Sequence, residues 1–286
     1  MPYTEDALIV GRRLNKVVVN HSSFVQALEG IGRVIQLGNE LGSPRGMCLV
    51  APSGCGKSLL IDLLRTNACG WSFLNPQSIL VAALKENPTV SHVQGELLSQ
   101  FKYPITPKPS ERNNSSVNNV LVHAIAHNKI QLTAIDEYQH IFLTRTDGVR
   151  RSLNDWLKRY MTLTERPILL TGTEELLALE NGDPQISTRI SSTFRLAPFK
   201  HDAEWKGMLK CFIESCPEVD LSSMLSVCSR ELHTASQGVF RNVKQLVVEA
   251  AMIAVDDKLK PLDRTHLRLA FARVYGAASS RENPFQ

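Results

Sequence analysis

The sequence predicts an α/β chain: a parallel β-sheet flanked by helices on both faces, followed by a small all-helical domain. Three observations carry this. Short apolar strands alternate with helical patterns over residues 21–200, the first strand runs through a glycine-rich turn directly into a helix, and from Asp202 onward the pattern is helical only. Strand and helix alternation is what a sheet needs when each crossover supplies part of a covering helical layer.

Residues 1–20 read as an N-terminal segment with a basic pair, Arg12 and Arg13, and a β-prone run at Val17, Val18 and Val19. Phe24, Leu28, Ile31 and Ile35 then recur at helical spacing, which makes one amphipathic helix ahead of the sheet. Residues 46–51 form a short apolar strand, 54–58 the glycine turn and 59–65 the start of a helix. Further strands are expected at 78–84, 130–135 and 167–171, with helices at 90–101, 116–127 and 149–160 between them. The stretch 103–115, rich in Pro, Ser and Asn, reads as an exposed loop. Helices at 202–215, 220–233, 241–256 and 263–274 make the second domain, residues 201–275. Residues 276–286 offer little to pack and are expected to be a flexible tail.

Composition narrows the function classes. The 286 residues are 43% hydrophobic and 21% charged, enough for an ordinary globular core. The longest apolar runs, 79–84 and 246–255, are short or interrupted by charge. A bilayer span needs about 18–20 residues, so no membrane partner is expected. The first residues lack the basic and apolar regions of a signal peptide, and a cytoplasmic location is expected. Six cysteines, with no C-x2-C pair among them, read as reduced thiols rather than a zinc or redox site. The net charge of +4 permits nucleic-acid binding without arguing for it, and residues 201–286, with eleven basic and eleven acidic side chains, contribute nothing to it.

The chemistry concentrates in residues 51–59, Ala-Pro-Ser-Gly-Cys-Gly-Lys-Ser-Leu. This fits G-x-x-x-x-G-K-[ST] except that Ala51 replaces the first glycine. Gly54 and Gly56 let the main-chain N–H groups of Ser53, Gly54, Cys55, Gly56 and Leu59 turn toward a phosphate at the helix start. Lys57 reaches the β and γ phosphates of ATP, and Ser58 supplies an oxygen to Mg2+. The bland alternative is a glycine turn that merely caps a helix; the strand before and the helix after decide against it. Cys55 reads as a small filler rather than a redox switch.

The strand at 130–135 delivers two adjacent carboxylates, Asp136 and Glu137. Asp136 is placed to hold the Mg2+ shell and Glu137 to orient and polarise an attacking water, which favours hydrolysis over binding alone. The strand at 167–171 runs on into Gly172 and Thr173. A hydroxyl there, with Thr173 preferred to Thr171, is placed to touch the γ-phosphate or the water; a plain strand-end turn is the alternative.

The phosphate loop, the run Asp136-Glu-Tyr-Gln-His140, the helix carrying Leu153-Asn-x-x-Leu-Lys158 and the strand ending Thr171-Gly-Thr173 together resemble the AAA+ ATPases of the TniB/TnsC group, regulators of cut-and-paste DNA transposition. The resemblance covers residues 20–275; its phosphate loop is common to many ATPases, whereas the remainder is more selective. It implies a P-loop AAA+ sheet domain with a helical lid, ATP and Mg2+ as ligands, and a homo-oligomer, ring or filament, on double-stranded DNA without sequence preference. It also implies that the assembly connects a target-selector protein to the transposase. In the stretch 183–189 the resemblance implies a trans-acting arginine at Arg189, with Arg195 the alternative, and at 238–246 a nucleotide-sensing arginine at Arg241. A surface salt-bridge arginine is the rival reading at either place.

DNA contact rests on that resemblance. Lys102, Arg145, Arg150, Arg151 and Lys158, with Lys108 and Arg112 nearby, supply positive charge for backbone contacts, and no base-reading module is visible. A charge run on a helix is more often a solvated face. Two other functions compete: a nucleotide-gated interaction module in secretion or signalling without DNA, and a phosphotransferase, which would leave both arginines and the lid without a task.

Overall fold

The computed structural model describes residues 2–42, 44–101, 114–143, 147–179, 184–258, 261–276 and 279–286. The chain divides into two compact units, Ser23–Leu196, and Met1–Ser22 together with Ala197–Gln286. In chain order the helices and strands are α1 (Glu5–Asn15), α2 (Ser22–Leu41), β1 (Gly46–Val50), α3 (Lys57–Thr66), β2 (Ile79–Ala83), α4 (Val90–Ser99), α5 (Asn114–His127), β3 (Leu132–Asp136), α6 (His140–Leu143), α7 (Asp147–Thr164), β4 (Ile168–Gly172), α8 (Pro184–Arg189), β5 (Ile190–Arg195), α9 (Ala203–Ser215), α10 (Ser229–Ser236), α11 (Phe240–Asp256) and α12 (Arg264–Tyr275).

The first unit is built on a five-stranded parallel sheet in the order β2-β3-β4-β1-β5. Alternate residues face opposite sides of each strand. Cys48, Val50, Ile135 and Leu170 join a core shared with Val93 and Leu97 of α4, Leu121 of α5 and Leu157 and Tyr160 of α7. Met47, Leu49 and Leu169, which point the other way, are equally buried. Phe24, Ile31 and Ile35 of α2 and Leu60 and Leu64 of α3 are buried as well and lie outside that first core. The edge strand β2 is closed to further pairing by side chains: Gln100 donates to the Val81 carbonyl at 2.7 Å and accepts from its N–H at 3.2 Å, while Glu96 accepts from the Ala83 N–H at 2.9 Å.

The fifth strand is absent from the sequence reading. β5 is Ile-Ser-Ser-Thr-Phe-Arg, with only Ile190 buried, so its apolar signal is too weak for detection. Pairing with β1, from Met47 opposite Ser192 to Val50 opposite Arg195, is what makes it a strand.

The second unit has its own core. Ala7, Val10 and Leu14 of α1 pack with Trp205, Leu209 and Phe212 of α9 and Leu246, Val247 and Ala250 of α11. Residues 1–20, set apart in the sequence reading, are therefore part of the helical unit. α1 itself was not expected; it starts at Thr4, whose hydroxyl accepts from the Ala7 N–H, has Glu5 and Asp6 in its first turn and ends on Arg12 and Arg13, charges that suit the helix dipole at each end. Val17 and Val19 are buried in the same core without forming a strand. The helix expected at 220–233 is instead a 3-10 turn, Ser222–Met224, followed by α10.

The tail is also different from its expectation. Phe285 is 1% exposed, with its ring 6.4 Å from that of Phe271, Asn283 donates to the Arg268 carbonyl at 3.1 Å, and the Arg281 guanidinium lies 4.6 Å from the Tyr275 ring centroid. A single buried aromatic can hold down a short segment that otherwise reads as polar.

Gly238 closes the turn before α11 at φ +70°, and a Cβ there would sit 2.1 Å from the Phe199 carbonyl oxygen. The Phe199 N–H donates to the Gly238 carbonyl at 2.8 Å, so the two backbones cannot separate without losing that bond. Gly238→Ala is expected to destabilise the protein by about 2–4 kcal/mol, from positive-φ strain and overpacking together. Urea denaturation checks it; an unchanged midpoint would contradict it.

Candidate nucleotide-binding site

The C-terminal ends of β1, β3 and β4 bring the predicted residues together. β1 continues into residues 51–56, where Gly54 (φ +84°) and Gly56 (φ +105°) take backbone conformations that a side chain would strain. Ala51, the departure from the motif, is fully buried, has no positive φ, and donates its N–H to the Gly172 carbonyl at 2.9 Å. It extends the strand, so the loop does not need a glycine there. Ser53 is exposed, Cys55 is buried in the loop and Gly56 caps α3.

Lys57 is only 7% exposed. Its ammonium donates to the Ala51 carbonyl at 3.0 Å and lies 3.9 Å from Glu137 Oε1, which balances a buried charge that would be costly alone. Ser58 is exposed in the first turn of α3, and its hydroxyl makes no hydrogen bond among the described residues.

Asp136 closes β3. Its Oδ1 accepts from the Glu137 N–H at 2.9 Å and from the Thr171 hydroxyl, while Oδ2 takes no hydrogen bond among the described residues. Glu137 has φ +55°, an arrangement that costs an L-residue roughly 1–2 kcal/mol. The turn is held by the bond to Asp136 and by the Tyr138 N–H, which donates to the Thr171 carbonyl at 2.9 Å. Tyr138 is 1% exposed and donates its hydroxyl to Asn154 at 3.1 Å, anchoring the turn in the core.

The two threonines have different partners. Thr171 is buried and bonded to Asp136, whereas the Thr173 hydroxyl donates to Glu175. That bond, and more weakly the Lys57 ammonium, holds the Glu175 carboxyl below the usual carboxylate range. Sequence reasoning missed Glu175 and also Gln139, whose amide bridges Glu137 and the Thr173 N–H. The only signal for Gln139 is its place in the run 136–140.

Arg189 lies at the other end of the sheet. It ends α8, and its Nη1 donates to the Lys158 carbonyl and to Thr162 Oγ1, both at 2.9 Å. The next residue, Ile190, pairs with Gly46, the first residue of β1, whereas Arg195 pairs with Val50, the last. Arg195 is therefore beside the loop of its own chain and Arg189 is not. Arg241 is exposed in the first turn of α11, in the helical unit.

Of the candidate DNA contacts, Lys102 and Arg145 lie outside the described residues, as do Lys108 and Arg112. Arg150 pairs with Asp147 at 2.9 Å and Arg151 is exposed on α7. Lys158, expected on the solvated face opposite the apolar stripe, has a side chain only 19% exposed and is paired with Asp155 at 2.7 Å.

The model of the bacterial TniB protein family matches residues 15–201, most of the chain and all of the site just described except Arg241. The chain belongs to the TniB family. No curated protein matches it. Among solved structures, this TniB-family chain is similar to the Aeropyrum pernix ORC2 protein in its ADPNP-ADP complexes, at TM-score 0.69 and 16% identity over 94% of this chain and 72% of that one. It is also similar to Aeropyrum pernix ORC1 in complex with DNA (TM-score 0.60, 19% identity, 91% and 67% covered) and to the Thermotoga maritima RuvB Holliday junction branch migration motor (0.55, 14%, 92% and 73%). At these identities the likeness concerns the fold, which is that of the AAA+ ATPases. Among the described residues, no helix of the TniB-family chain is long and apolar enough to cross a membrane.

Proposed function

We infer that this TniB-family protein is an ATPase that binds Mg-ATP, assembles with copies of itself on duplex DNA in an ATP-dependent way, and connects a target selector to a transposase. The observation that carries the ATPase reading is the pairing across the site of a buried loop lysine, Lys57, with Glu137 at 3.9 Å. That distance leaves the carboxylate facing the place where a terminal phosphate would lie. The glycine loop with the positive end of α3 suits a polyphosphate. Ser58 and the free oxygen of Asp136 would hold Mg2+, which would neutralise charge developing on the phosphates. Glu137 takes the proton of the attacking water, and Arg189, facing away from its own loop, acts on the nucleotide of a neighbouring copy. Thr171 holds Asp136 in register, Thr173 at the end of β4 offers its hydroxyl to the γ-phosphate or the attacking water, and Arg241 reports the phosphate state to the lid.

DNA enters this reading from the family and from the DNA-bound relative of similar fold. Arg150 and Arg151 on α7, with Lys102 and Arg145, are the proposed phosphate contacts; Lys158, occupied by Asp155, is the weakest of them. Duplex binding measured against salt, with and without a non-hydrolysable ATP analogue, tests the reading. Binding should require the analogue, ignore sequence and weaken steeply with salt, because each neutralised phosphate releases counterions. Analogue-dependent self-assembly without any duplex affinity would instead favour the nucleotide-gated interaction module.

A further inference from the structure

The run 136–140 contains a residue that the reaction above leaves without a task. Gln139 is 4% exposed, and both ends of its amide are engaged: Nε2 donates to Glu137 Oε2, and Oε1 accepts from the Thr173 N–H at 3.3 Å. The amide cannot be reversed. Its oxygen would then meet a carboxylate oxygen and its NH2 would meet an N–H, two repulsive pairs in place of two bonds. A core glutamine placed only to satisfy the backbone would not need an ionised partner, and a hydrogen bond to a carboxylate is among the stronger kinds.

The neighbourhood is shaped around this amide. Gly172 has no positive φ, so its backbone would accept a side chain, yet a Cβ there would lie 2.4 Å from Gln139 Oε1. Glycine at this position provides room for the glutamine. Glu137 meanwhile has its main chain fixed in a left-handed turn by Asp136 and Thr171, which leaves the rotation of its side chain to be set. With Oε2 held by Gln139, the remaining oxygen, Oε1, is the one turned toward Lys57 and the phosphate loop.

We propose that Gln139 is a positioning residue for hydrolysis: its amide fixes the Glu137 carboxylate so that Oε1 addresses the attacking water, and ties that carboxylate to the end of β4 through the Thr173 N–H. The proposal rests on the ATPase reading. It gives Gln139 an effect on turnover and none on nucleotide binding, because its amide addresses a carboxylate and a main-chain N–H rather than the phosphate loop. Misplacing a reacting group by an ångström costs on the order of a hundredfold in rate, which sets the scale of the effect.

The test compares wild type, Gln139→Met, Gly172→Ala and the double variant by steady-state ATP hydrolysis, with equilibrium titration of a fluorescent ATP analogue alongside. Methionine keeps the length and volume of glutamine without the amide. Gln139→Met is expected to lower kcat by about tenfold to a hundredfold with KM and analogue affinity within about twofold. Gly172→Ala, which retains the glutamine but crowds its amide out of position, should lower kcat in the same way, and the double variant should fall no further than Gln139→Met alone, since both act through one contact. Should Gln139→Met fail to fold, Gly172→Ala carries the same expectation. Wild-type kcat in folded Gln139→Met, a loss seen only in nucleotide affinity, or independent multiplicative losses in the double variant would overturn the proposal. A wild-type protein that binds the analogue without turning over ATP would instead remove the ATPase reading beneath it.

Discussion

Arg189→Ala is expected to reduce ATP hydrolysis by about a thousandfold or more while leaving nucleotide affinity near wild type, the effect of removing an arginine that stabilises charge on the transferred phosphoryl group. The reason lies in the sheet. Arg189 precedes the residue paired with the first position of β1, while the phosphate loop follows the last, Val50. The four steps from Gly46 to Val50, at about 3.3 Å each, put roughly 13 Å between those ends, beyond what a side chain bonded to α7 bridges. Under the proposed function, Arg189 therefore acts on the nucleotide of a neighbouring copy. A mixture of Arg189→Ala with Lys57→Ala should therefore recover part of the activity that each lacks alone, because the first supplies an intact loop and the second an intact arginine. If Arg195→Ala proves inactive, Arg189→Ala active and mixing without effect, the shared-site role belongs to neither arginine as assigned.

Glu137→Gln is the second large effect. Loss of a general base costs about 10²- to 10⁴-fold, so turnover should become hard to detect while Mg-ATP binding persists. The substitution keeps the size of the side chain but removes its ability to accept the water's proton. Nucleotide-bound assemblies should then be long-lived, since nothing resets them, and light scattering after addition of ATP should rise to a plateau without the decay expected of wild type. Equal turnover in the two proteins would contradict the role given to Glu137.

The parts of this site that were legible in the sequence are those whose chemistry demands a fixed spacing. Residues 54–58 and the pair Asp136-Glu137 were found that way, and the structure brings Lys57 and Glu137 together. β5 was not legible, because a strand of Ser and Thr is defined by its partner rather than by its own side chains. The tail and α1 were missed for a related reason: one Phe285 and three apolar residues of a short helix acquire meaning only against the core that receives them. Lys158 shows the limit of periodicity. Helical periodicity gave its position on α7 but not the Asp155 and Gln185 contacts that occupy its ammonium. Between the two threonines, spacing has no means to show that Thr171 bonds to Asp136 and Thr173 to Glu175, because those partners are set by the packing of the strand ends.

Equilibrium titration of the wild-type protein with a fluorescent ATP analogue and Mg2+ addresses the reading at its root. Saturable binding that ATP displaces and that Lys57→Ala loses is the predicted result. Absence of saturation in wild type, or an unchanged curve in Lys57→Ala, would contradict it.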